Sequence, residues 1–397
     1  MSKLKELIDK FCPNGVKYQK LDDILDYEQP TQYIVKSTEY DESYNTPVLT
    51  AGQTFILGYT NEEYGIYKAD KDSPTIIFDD FTTSFHWVDF DFKVKSSAMK
   101  MLRPKSTFEG SFKYVFYAME CIHFEAVNHT RHWISKYSQF EIPLPHPEVQ
   151  EEIVKILDRF AELQAELQAE LQARQEQYEY YRNKLLAFNE IGGAQCVIWM
   201  KMSEIGTFIR GKRFVRTDIV NDGVPCIHYG DMYTYYGLYA TKSKGMLRNE
   251  LAPKMRYAQK NDVVIVASGE NKEDIGIGMA WLGDKPAAVH DACFIFKSDL
   301  YPQYVSHYLR TNYYHKQIVK HVSEGKICSI SAKGLGSAII PIPPYEEQVR
   351  IATLLNKFDE LMSDLAQGLP AEIAAVKEQY EYYRDKLLSF PEYKLSA

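Results

Sequence analysis

One block of this sequence occurs twice, and the repeat constrains the fold more than any other feature. Residues 177–190 return as residues 379–392, with eleven of fourteen positions identical. A second pair lies upstream, where residues 142–150 match residues 340–348. Two copies about 200 residues apart indicate one structural unit that is used twice. A molecule with two similar halves can present two similar surfaces, and duplex DNA has strands that are themselves related by twofold axes.

Length and composition indicate a globular protein with at least two domains, because 397 residues exceed what one core usually holds. No stretch approaches the roughly 20 apolar residues that cross a bilayer, and the first residues lack the apolar core of a signal peptide. The six cysteines are scattered without a Cys-x-x-Cys pair, which is typical of reduced thiols. The sequence therefore predicts a cytoplasmic protein that does not contact a membrane.

Charge is distributed unevenly along the chain. The net charge of −8 argues weakly against a nucleic-acid binder that acts alone. Residues 197–338, however, contain 19 lysines and arginines against 13 aspartates and glutamates, whereas residues 16–140 contain 13 against 18. The second half therefore has a basic surface. If the protein binds DNA, we expect other subunits to neutralise many of the phosphates.

The repeated blocks belong to two long helical segments. After Pro147, which suits a first helical position, there is no glycine or proline as far as Phe188. Three Ala-Glu-Leu-Gln tetrads follow one another in residues 161–172 and place leucines on a slanting stripe for a partner helix. In the second segment, Gly368 and Pro370 predict a break between two helices.

The remaining blocks are rich in strand patterns, such as the apolar runs 75–78 and 262–267. We therefore predict an α+β fold in which two strand-rich domains are separated by two long antiparallel coiled-coil helices, with an internal pseudo-twofold repeat. The predicted boundaries are 1–146 for the first domain with an N-terminal helix, 147–190 for the first spacer helix, 191–344 for the second domain and 345–397 for the second spacer helix.

Motifs of catalytic proteins are missing from this sequence. An amino-methyltransferase needs Asn or Asp before Pro-Pro-aromatic, but Ile342 precedes that tripeptide here, and no GxxxxGK[ST] phosphate loop occurs. One short segment collects potential zinc ligands at a spacing that fits no common zinc site, namely Cys121, His123, His129 and His132. We predict no catalytic residue and no metal site.

Several segments in this order resemble one family. They are residues 340–344 with 346–351 leading into a long helix, residues 326–330 before it, the two tyrosine-rich blocks, and residues 51–59, 210–213 and 227–231. Over essentially the whole chain the sequence resembles the specificity subunit of type I restriction–modification enzymes.

This resemblance implies a non-catalytic subunit whose two recognition domains each read one half of a bipartite site in double-stranded DNA, while the helices set the gap between the halves. It implies assembly with two adenine methyltransferase (modification) subunits, which two restriction subunits can join. It implies no cofactor in this chain, with S-adenosylmethionine, ATP and Mg used by the partner subunits. A self-contained DNA methyltransferase or nuclease and a coiled-coil scaffold without a nucleic-acid role are the alternatives.

Polar residues at the ends of predicted strands are the candidates for DNA contact. Arginine can pair with guanine, glutamine with adenine, and lysine can hold a phosphate; solvated loops and packing are the alternatives. The candidates in the first domain are Thr50, Gly52, Gln53, Asp80, Thr82, Lys93, Lys95, Ser97 and Lys100. Those in the second domain are Arg210, Lys212, Arg213, Arg216, His228, Tyr229, Ser268, Glu270 and His290.

The tyrosine-rich blocks are the candidates for partner docking, because two copies of one partner would need two similar surfaces. Apolar residues at helical spacing form one face of each block. They are Tyr178, Tyr181, Leu185 and Phe188 in the first block and Tyr380, Tyr383, Leu387 and Phe390 in the second. Packing between the two helical arms explains the same pattern, and the two roles are compatible.

Overall fold

The computed structural model describes residues 2–52, 54–124, 130–188, 197–363 and 368–393. The chain forms two compact units. The first unit comprises Met1–Glu166 together with Ile373–Ala397, and the second comprises Leu167–Glu372. Each unit therefore contains one strand-rich domain and parts of both long helical segments.

The first unit is built on a four-stranded sheet in the order β2-β8-β5-β6, a three-stranded sheet in the order β4-β3-β7 and the ladder β1-β9. Its strands are β1 (Lys17–Lys20), β2 (Leu25–Glu28), β3 (Thr46–Leu49), β4 (Ile56–Thr60), β5 (Thr75–Asp79), β6 (Phe85–Val88), β7 (Lys93–Val94), β8 (Met99–Pro104) and β9 (Glu141–Leu144). Its helices are α1 (Ser2–Phe11), α2 (Leu21–Ile24), α3 (Phe112–Glu120) and the first part of α4 (Pro147–Ala187).

The second unit contains two five-stranded sheets, in the orders β11-β21-β17-β19-β14 and β12-β15-β13-β20-β16, and the ladders β10-β23 and β18-β22. Its helices are α5 (Met202–Ile205), α6 (Asp231–Thr234), α7 (Pro302–Tyr308), α8 (Asn312–Ile318), α9 (Ala332–Gly336) and α10 (Tyr345–Ser363). Its strands are β10 (Ile198–Lys201), β11 (Gly206–Arg210), β12 (Ile219–Val220), β13 (Val224–Ile227), β14 (Tyr239–Ala240), β15 (Gly245–Leu247), β16 (Tyr257–Ala258), β17 (Val263–Val266), β18 (Ser268–Gly269), β19 (Gly278–Trp281), β20 (Ala287–Val289), β21 (Cys293–Ser298), β22 (Cys328–Ser329) and β23 (Ile339–Ile342).

The predicted long helix is confirmed as α4, which runs from Pro147 to Ala187. The second helical segment consists of α10 and of α11 (Leu369–Leu387), so the proline and glycine lie where one helix gives way to the next. The apolar runs predicted as buried strands are confirmed as β5 and β17. Within the described residues, no helix is long and apolar enough to cross a membrane.

The internal repeat extends to individual hydrogen bonds. The Tyr114 hydroxyl in α3 donates to the Pro143 carbonyl at 2.9 Å, and the Tyr304 hydroxyl in α7 donates to the Pro341 carbonyl at the same distance. A glutamine near the start of each long helix donates to a proline carbonyl five residues earlier. Both bonds satisfy buried polar groups, so each strand-rich domain is attached to its helix in the same way.

Each unit has its own apolar core, and both are formed mainly by the inner faces of the sheets and by α3 or α7. In the first unit, Ile76, Phe78 and Leu102 of the sheet pack with Tyr114 of α3. In the second, Val264 and Phe296 pack with Tyr304 of α7. The α+β class with two strand-rich domains, long helices and an internal repeat is confirmed.

Candidate nucleic-acid interface

In each unit one pair of parallel strands brings two polar loops together. Strands β3 and β7 are parallel in the first unit, and β13 and β20 are parallel in the second. Adjacent parallel strands end at the same edge of a sheet, so the loops that follow them are neighbours, as they are at ligand sites of open sheets. The match is close: the Lys95 amide donates to the Leu49 carbonyl at 3.1 Å, and the His290 amide donates to the Ile227 carbonyl at 3.1 Å.

The loops of the second unit bring four aromatic rings together. His228 and Tyr229 follow β13, and His290 follows β20. The ring centroid of His290 lies 4.7 Å from that of His228 and 5.1 Å from that of Tyr229. Phe214 is buried against both histidines, with centroid distances of 5.9 Å and 5.2 Å. The sequence predictions for His228, Tyr229 and His290 thus fall in one cluster, and Phe214 is a member that they missed.

Burial lowers the pKa of both histidines below the ordinary value of 6.5. The charge of Arg216 lowers the pKa of His228 further, whereas the Asp291 carboxylate, 3.2 Å from the Nδ1 of His290, opposes the lowering of the pKa of that residue. Both rings are therefore neutral at pH 7. The Nδ1 of His228 accepts a hydrogen bond from the Gly230 amide at 3.2 Å, which fixes the orientation of that ring. A neutral histidine can both donate and accept, which suits a polar base edge.

The basic loop that follows β11 is attached to the same strand ends. The Arg210 Nε donates to the Asp291 carbonyl at 2.8 Å, and the Lys212 amide donates to the Val289 carbonyl at 2.9 Å. Gly211 between them is required, because a Cβ there would lie 2.2 Å from the His290 carbonyl oxygen. The basic side chains of this loop are exposed, namely those of Arg210, Lys212, Arg213 and Arg216.

Arg216 lies beside the histidine cluster. A Cβ built on Gly230 would lie 2.9 Å from its Nη2, so the guanidinium lies against the loop that follows β13. Ser268 also lies nearby, because its amide donates to the Ala292 carbonyl at 3.1 Å. Glu270 is exposed just beyond β18, and no contact places it in the cluster. The second unit therefore gathers exposed arginines and neutral histidines at one edge.

The loops of the first unit bring together different side chains. The Thr50 Oγ1 donates to the Thr54 carbonyl at 2.7 Å and accepts from the Gly52 amide at 3.2 Å. The Nε2 of His86 lies 3.0 Å from the Gly52 carbonyl oxygen, and its ring lies 4.7 Å from that of Phe55. His86 and Phe55 were missed because the sequence pattern alone does not indicate that β6 lies beside this loop. The predicted residue Gln53 lies outside the described residues.

The structure argues against three of the predicted contacts in the first unit. Lys93 is 2 % exposed, and its ammonium group lies 3.1 Å from Glu62 and donates to two carbonyl oxygens. Lys100 and Asp80 are each 1 % exposed and form an ion pair at 3.3 Å. Asp80 also accepts from the Trp133 amide at 2.8 Å. A buried ion pair with satisfied partners cannot contact a phosphate or a base, so these residues stabilise the fold instead.

Three other candidates remain available at the surface of the first unit. Lys95 is half-buried, with its ammonium group 5.6 Å from the centre of the Tyr40 ring. Ser97 is exposed in the same loop. Thr82 is exposed in the turn after β5, where its amide donates to Asp79 at 2.8 Å. Lys95 occupies the place that His290 holds in the second unit, since both follow the second strand of the parallel pair.

Replacing Lys95 by alanine is expected to weaken DNA binding by about threefold to tenfold and to reduce the slope of log affinity against log salt by about one, because one phosphate contact is lost. Fluorescence anisotropy with a duplex at several salt concentrations measures both quantities. Lys71→Ala, at an exposed lysine before β5, is the control and should change neither. An unchanged slope for Lys95→Ala would contradict the assignment.

The predicted docking residues of the tyrosine-rich blocks mostly pack inside their own unit. The Tyr178 hydroxyl lies 3.1 Å from His307 Nδ1, and Tyr380 donates to Glu120. Tyr181 stacks on Phe358 at 6.2 Å. Tyr383 stacks on Phe160 at a centroid distance of 5.7 Å. The Phe390 carbonyl accepts a hydrogen bond from the Tyr18 hydroxyl at 2.8 Å. The remaining predicted residues pack against the apolar cores, namely Leu185, Phe188 and Leu387.

The exposed positions of these blocks are a different matched pair. Tyr180 is 57 % exposed and Tyr382 is 60 % exposed. The ammonium groups of Lys184 and Lys386 lie 5.5 Å and 5.6 Å from the centres of these rings. The partner-docking prediction is therefore corrected for Tyr178 and Phe390, which are buried, whereas the predicted Tyr181 is 40 % exposed. The matched pair that faces solvent in both blocks is Tyr180 and Tyr382. The identical Tyr-Glu-Tyr-Tyr strings hid which ring of each block is exposed.

The described residues contain no group of three or more His, Cys, Asp or Glu side chains that could hold a metal ion. Of the potential ligands in the segment 121–132, His129 lies outside the described residues. His123 contacts the Cys121 carbonyl, and burial raises the pKa of the Cys121 thiol to about 12, which keeps it protonated.

The two similar units thus present different polar side chains at the same place in the fold. The family model described as "Type I restriction modification DNA specificity domain" matches residues 13–176 and again residues 199–375. The chain belongs to this family of type I restriction–modification specificity subunits.

Individual relatives agree with that assignment. The Escherichia coli type I restriction enzyme EcoR124I/EcoR124II specificity subunit is 40% identical over 407 residues, with 98% of each chain covered. A putative type I specificity subunit of Haemophilus influenzae is 30% identical over 394 residues, with 94% of this chain and 96% of that protein covered.

Two solved structures share the fold. A chain from a structure of type I restriction–modification complex assembly matches with a TM-score of 0.58 at 16% identity, covering 95% of this chain and 98% of that one. The S subunit from M. genitalium matches with a TM-score of 0.54 at 14% identity, covering 96% of this chain and 97% of that one.

Proposed function

We propose that each unit of this chain reads one half of a bipartite site in double-stranded DNA. The observation that carries this proposal is the parallel strand pair that occurs in both units with different side chains after it. Thr50, Gly52 and Lys95 follow these strands in the first unit, and His228, Tyr229 and His290 follow them in the second. Because the same fold carries different side chains at these positions, the two units would recognise half-sites of different sequence.

The basic loop of the second unit is the strongest candidate for direct base reading. Arg213 and Arg216 are exposed and lie next to neutral histidines. An arginine guanidinium matches the O6 and N7 acceptors of guanine, and a phosphate contact carries no sequence information. The first unit offers a threonine hydroxyl, backbone groups and one lysine, so phosphate contacts there would fall largely to partner subunits.

The chain acts in this proposal without catalytic groups of its own. Partner subunits would carry adenine methyltransferase and ATP-dependent endonuclease activities and would use S-adenosylmethionine, ATP and Mg. The assembly would contain two modification subunits and two restriction subunits, and it would act in the cytoplasm. This proposal rests on the family resemblance and on the missing catalytic motifs.

The two modification subunits would dock on the matched tyrosines. Tyr180 and Tyr382 are exposed, each has a lysine one helical turn later, and each belongs to a nearly identical block. Exposed tyrosine is favoured at interface centres because it buries a large ring and retains a hydroxyl for hydrogen bonding. Two copies of one partner need two such surfaces, and the repeat provides them.

Co-purification with the modification subunit is expected to give a complex of one specificity chain and two modification chains, measured by multi-angle light scattering. Tyr180→Ala or Tyr382→Ala should each favour a one-to-one complex, because truncating a central interface tyrosine costs about 2 kcal/mol or more. Tyr64→Ala, at a tyrosine that is 87 % exposed in the first strand-rich domain, is the control and should leave two copies bound. A wild-type complex that stays one-to-one would refute the two-dock arrangement.

The alternatives are separated by two further assays on the same material. Methyl transfer to DNA by the isolated chain would favour a self-contained enzyme. Assembly with the modification subunit but no sequence-dependent DNA binding by the complex would favour a scaffold. We expect no methyl transfer by the chain alone and sequence-specific binding by the complex.

A further inference from the structure

The second unit contains a charged pocket whose lining residues are not among those proposed to read DNA. It has a volume of about 430 Å³ and lies beside the second half of α4 and the helix α8. Its charged lining consists of Arg182, Arg310, Lys272 and Lys316 with the carboxylates of Glu179 and Glu273. Lys272 is paired with Glu324, but cationic groups still outnumber carboxylates around the opening.

Two arginines in the pocket have unsatisfied donors. Arg182 is 8 % exposed, and its Nε is buried without a hydrogen-bond partner. Its ion pair with Glu179 has a separation of 4.0 Å, which is beyond hydrogen-bond distance. The Nε of Arg310 is also buried without a partner, although its Nη2 donates to the Gly237 carbonyl at 2.9 Å. A buried N–H that is left unsatisfied destabilises the folded state.

The first unit has a salt bridge at the matching place. Arg384 corresponds to Arg182, because both occupy the same position in the repeated tyrosine block. Glu120 corresponds to Arg310 in the register that matches Tyr114 of α3 with Tyr304 of α7, whose hydroxyls make the same hydrogen bond. The Glu120 carboxylate lies 3.8 Å from Arg384.

A second carboxylate near Arg384 is also absent from the second unit. The Asp385 carboxylate lies 2.9 Å from Arg384 Nη2, and the residue that follows Arg182 is Asn183. The Asn183 side-chain oxygen accepts from the Asn312 amide at 3.1 Å. Between the two units, therefore, one glutamate has become an arginine and one aspartate has become an asparagine. The arginine at the centre is retained while these two acidic neighbours are lost, and Asp359 is the carboxylate that acts on Arg310 in the second unit.

Burial and charges of both signs act on the groups around this pocket. Burial lowers the pKa of Arg310, and the charge of Arg182 lowers it further, while Asp359 and Tyr178 act in the opposite direction. Burial and the charge of Arg182 also lower the pKa of His315 on the pocket wall. Two guanidinium groups that repel each other in a partly buried site are stabilised by a shared anion.

We propose that this pocket binds a phosphate group between Arg182 and Arg310. Guanidinium groups bind phosphate oxygens with strong charge-assisted hydrogen bonds, and one phosphate can accept from both arginines at once. The volume exceeds that of one phosphate ion, so it accommodates either free phosphate with water or a backbone phosphate of DNA. The proposal rests on the geometry of this pocket and stands independently of the half-site reading.

Inorganic phosphate is the probe for the first experiment, with the full chain titrated by calorimetry and by thermal unfolding. The wild-type protein is expected to bind phosphate and to unfold at a higher temperature as phosphate is added, because the ligand binds only the folded state. Arg310→Glu copies the first unit, so it should supply the missing carboxylate to Arg182 and weaken phosphate binding at least tenfold. Arg310→Gln removes the charge with little change of size and provides a second test.

A matched control lies in the first unit. Glu120→Gln removes the carboxylate beside Arg384 and should leave the phosphate titration of the chain within twofold of the wild type. A wild-type chain that binds no phosphate in the millimolar range would overturn the proposal. Unchanged phosphate binding in both Arg310 variants would overturn it as well, because the anion would then lie elsewhere.

A DNA arm distinguishes the two sources of phosphate. Duplex affinity of the complex with the modification subunit is measured at constant ionic strength, with and without phosphate, for wild type and Arg310→Gln. Competition by phosphate together with weaker duplex binding by the variant assigns a backbone phosphate to the pocket. Duplex binding that is unchanged in the variant, with phosphate titration lost, assigns a free phosphate. Both outcomes support the site, and both can be obtained whether or not the half-site assignments are correct.

Discussion

Replacing Arg216 by alanine is expected to lower the affinity of the assembled complex for its specific DNA site by about fivefold to 150-fold, or about 1–3 kcal/mol. Arg216 is exposed, lies against Gly230 and belongs to the loop that is hydrogen-bonded to the end of β20. Its guanidinium can form two hydrogen bonds to guanine that no shorter side chain replaces. Methylation rates on duplexes with each base pair substituted in turn should reveal lost discrimination at one position of one half-site.

Two further variants separate base reading from simple charge. Arg216→Lys keeps the charge but loses the bidentate geometry, so non-specific binding and its salt dependence should persist while discrimination falls. Gly230→Ala tests the position of the Arg216 side chain without replacing Arg216 itself. Gly230 has a φ of −65°, which alanine tolerates, but the added Cβ would lie 2.9 Å from the Arg216 guanidinium and displace it. Full discrimination in all three variants would contradict the assignment, and equal losses of specific and non-specific binding would indicate a phosphate contact.

The sequence was sufficient to predict where the second unit gathers its polar groups. His228 and His290 follow apolar runs that the sequence pattern predicts as strands, and the repeat indicated corresponding loops in both domains. That the two strands run parallel, and that their loops therefore meet, required the structure. Phe214 is buried beneath both histidines and could not be distinguished in the sequence from any other loop aromatic.

Burial of charged residues was the main source of error. Lys93 and Lys100 form part of a basic stretch that is typical of a phosphate site, but their ammonium groups point to Glu62 and Asp80. These partners lie on other segments of the chain, and local periodicity does not reveal such pairings. Lys95 in the same stretch remains available, because it stands two residues beyond the paired Lys93 where the strand has ended.

The repeat is more informative when its two copies differ. A conserved scaffold with Thr50 in one unit and His228 in the other points to two targets of different sequence. The change from Glu120 to Arg310 converts a salt bridge into a pair of like charges. The sequence alone does not show which residues of the two units correspond to each other, and the structure supplies that correspondence. Each difference can then be tested by introducing the residue of one unit at the corresponding position of the other.

Deleting the tetrad Ala165–Gln168 is expected to leave both half-site sequences unchanged and to shorten the unspecified spacer between them by about one base pair. The tetrad lies within α4, at the division between the two units after Glu166. Four residues contribute about 6 Å of rise and about 40° of surplus rotation to a helix. One base pair contributes about 3.4 Å along the duplex and about 36° of twist. The rotations agree, and the excess rise must be absorbed by helix inclination or DNA deformation.

The deletion should not disturb packing, because the tetrads are identical. Leu167 is 7 % exposed, and after deletion Leu163 takes its place relative to the second unit. Methylome sequencing of cells that carry the variant with its partner subunits is the measurement. Methylation of the original site should be lost, because the second half-site no longer lies at the distance that the shortened helix requires. Replacing Glu166 and Gln168, which are exposed, by alanine is the control, because it keeps the length of the helix and the buried Leu167 and should keep the spacer. An unchanged spacer in the deletion, or altered bases in either half-site, would show that α4 does not set the distance.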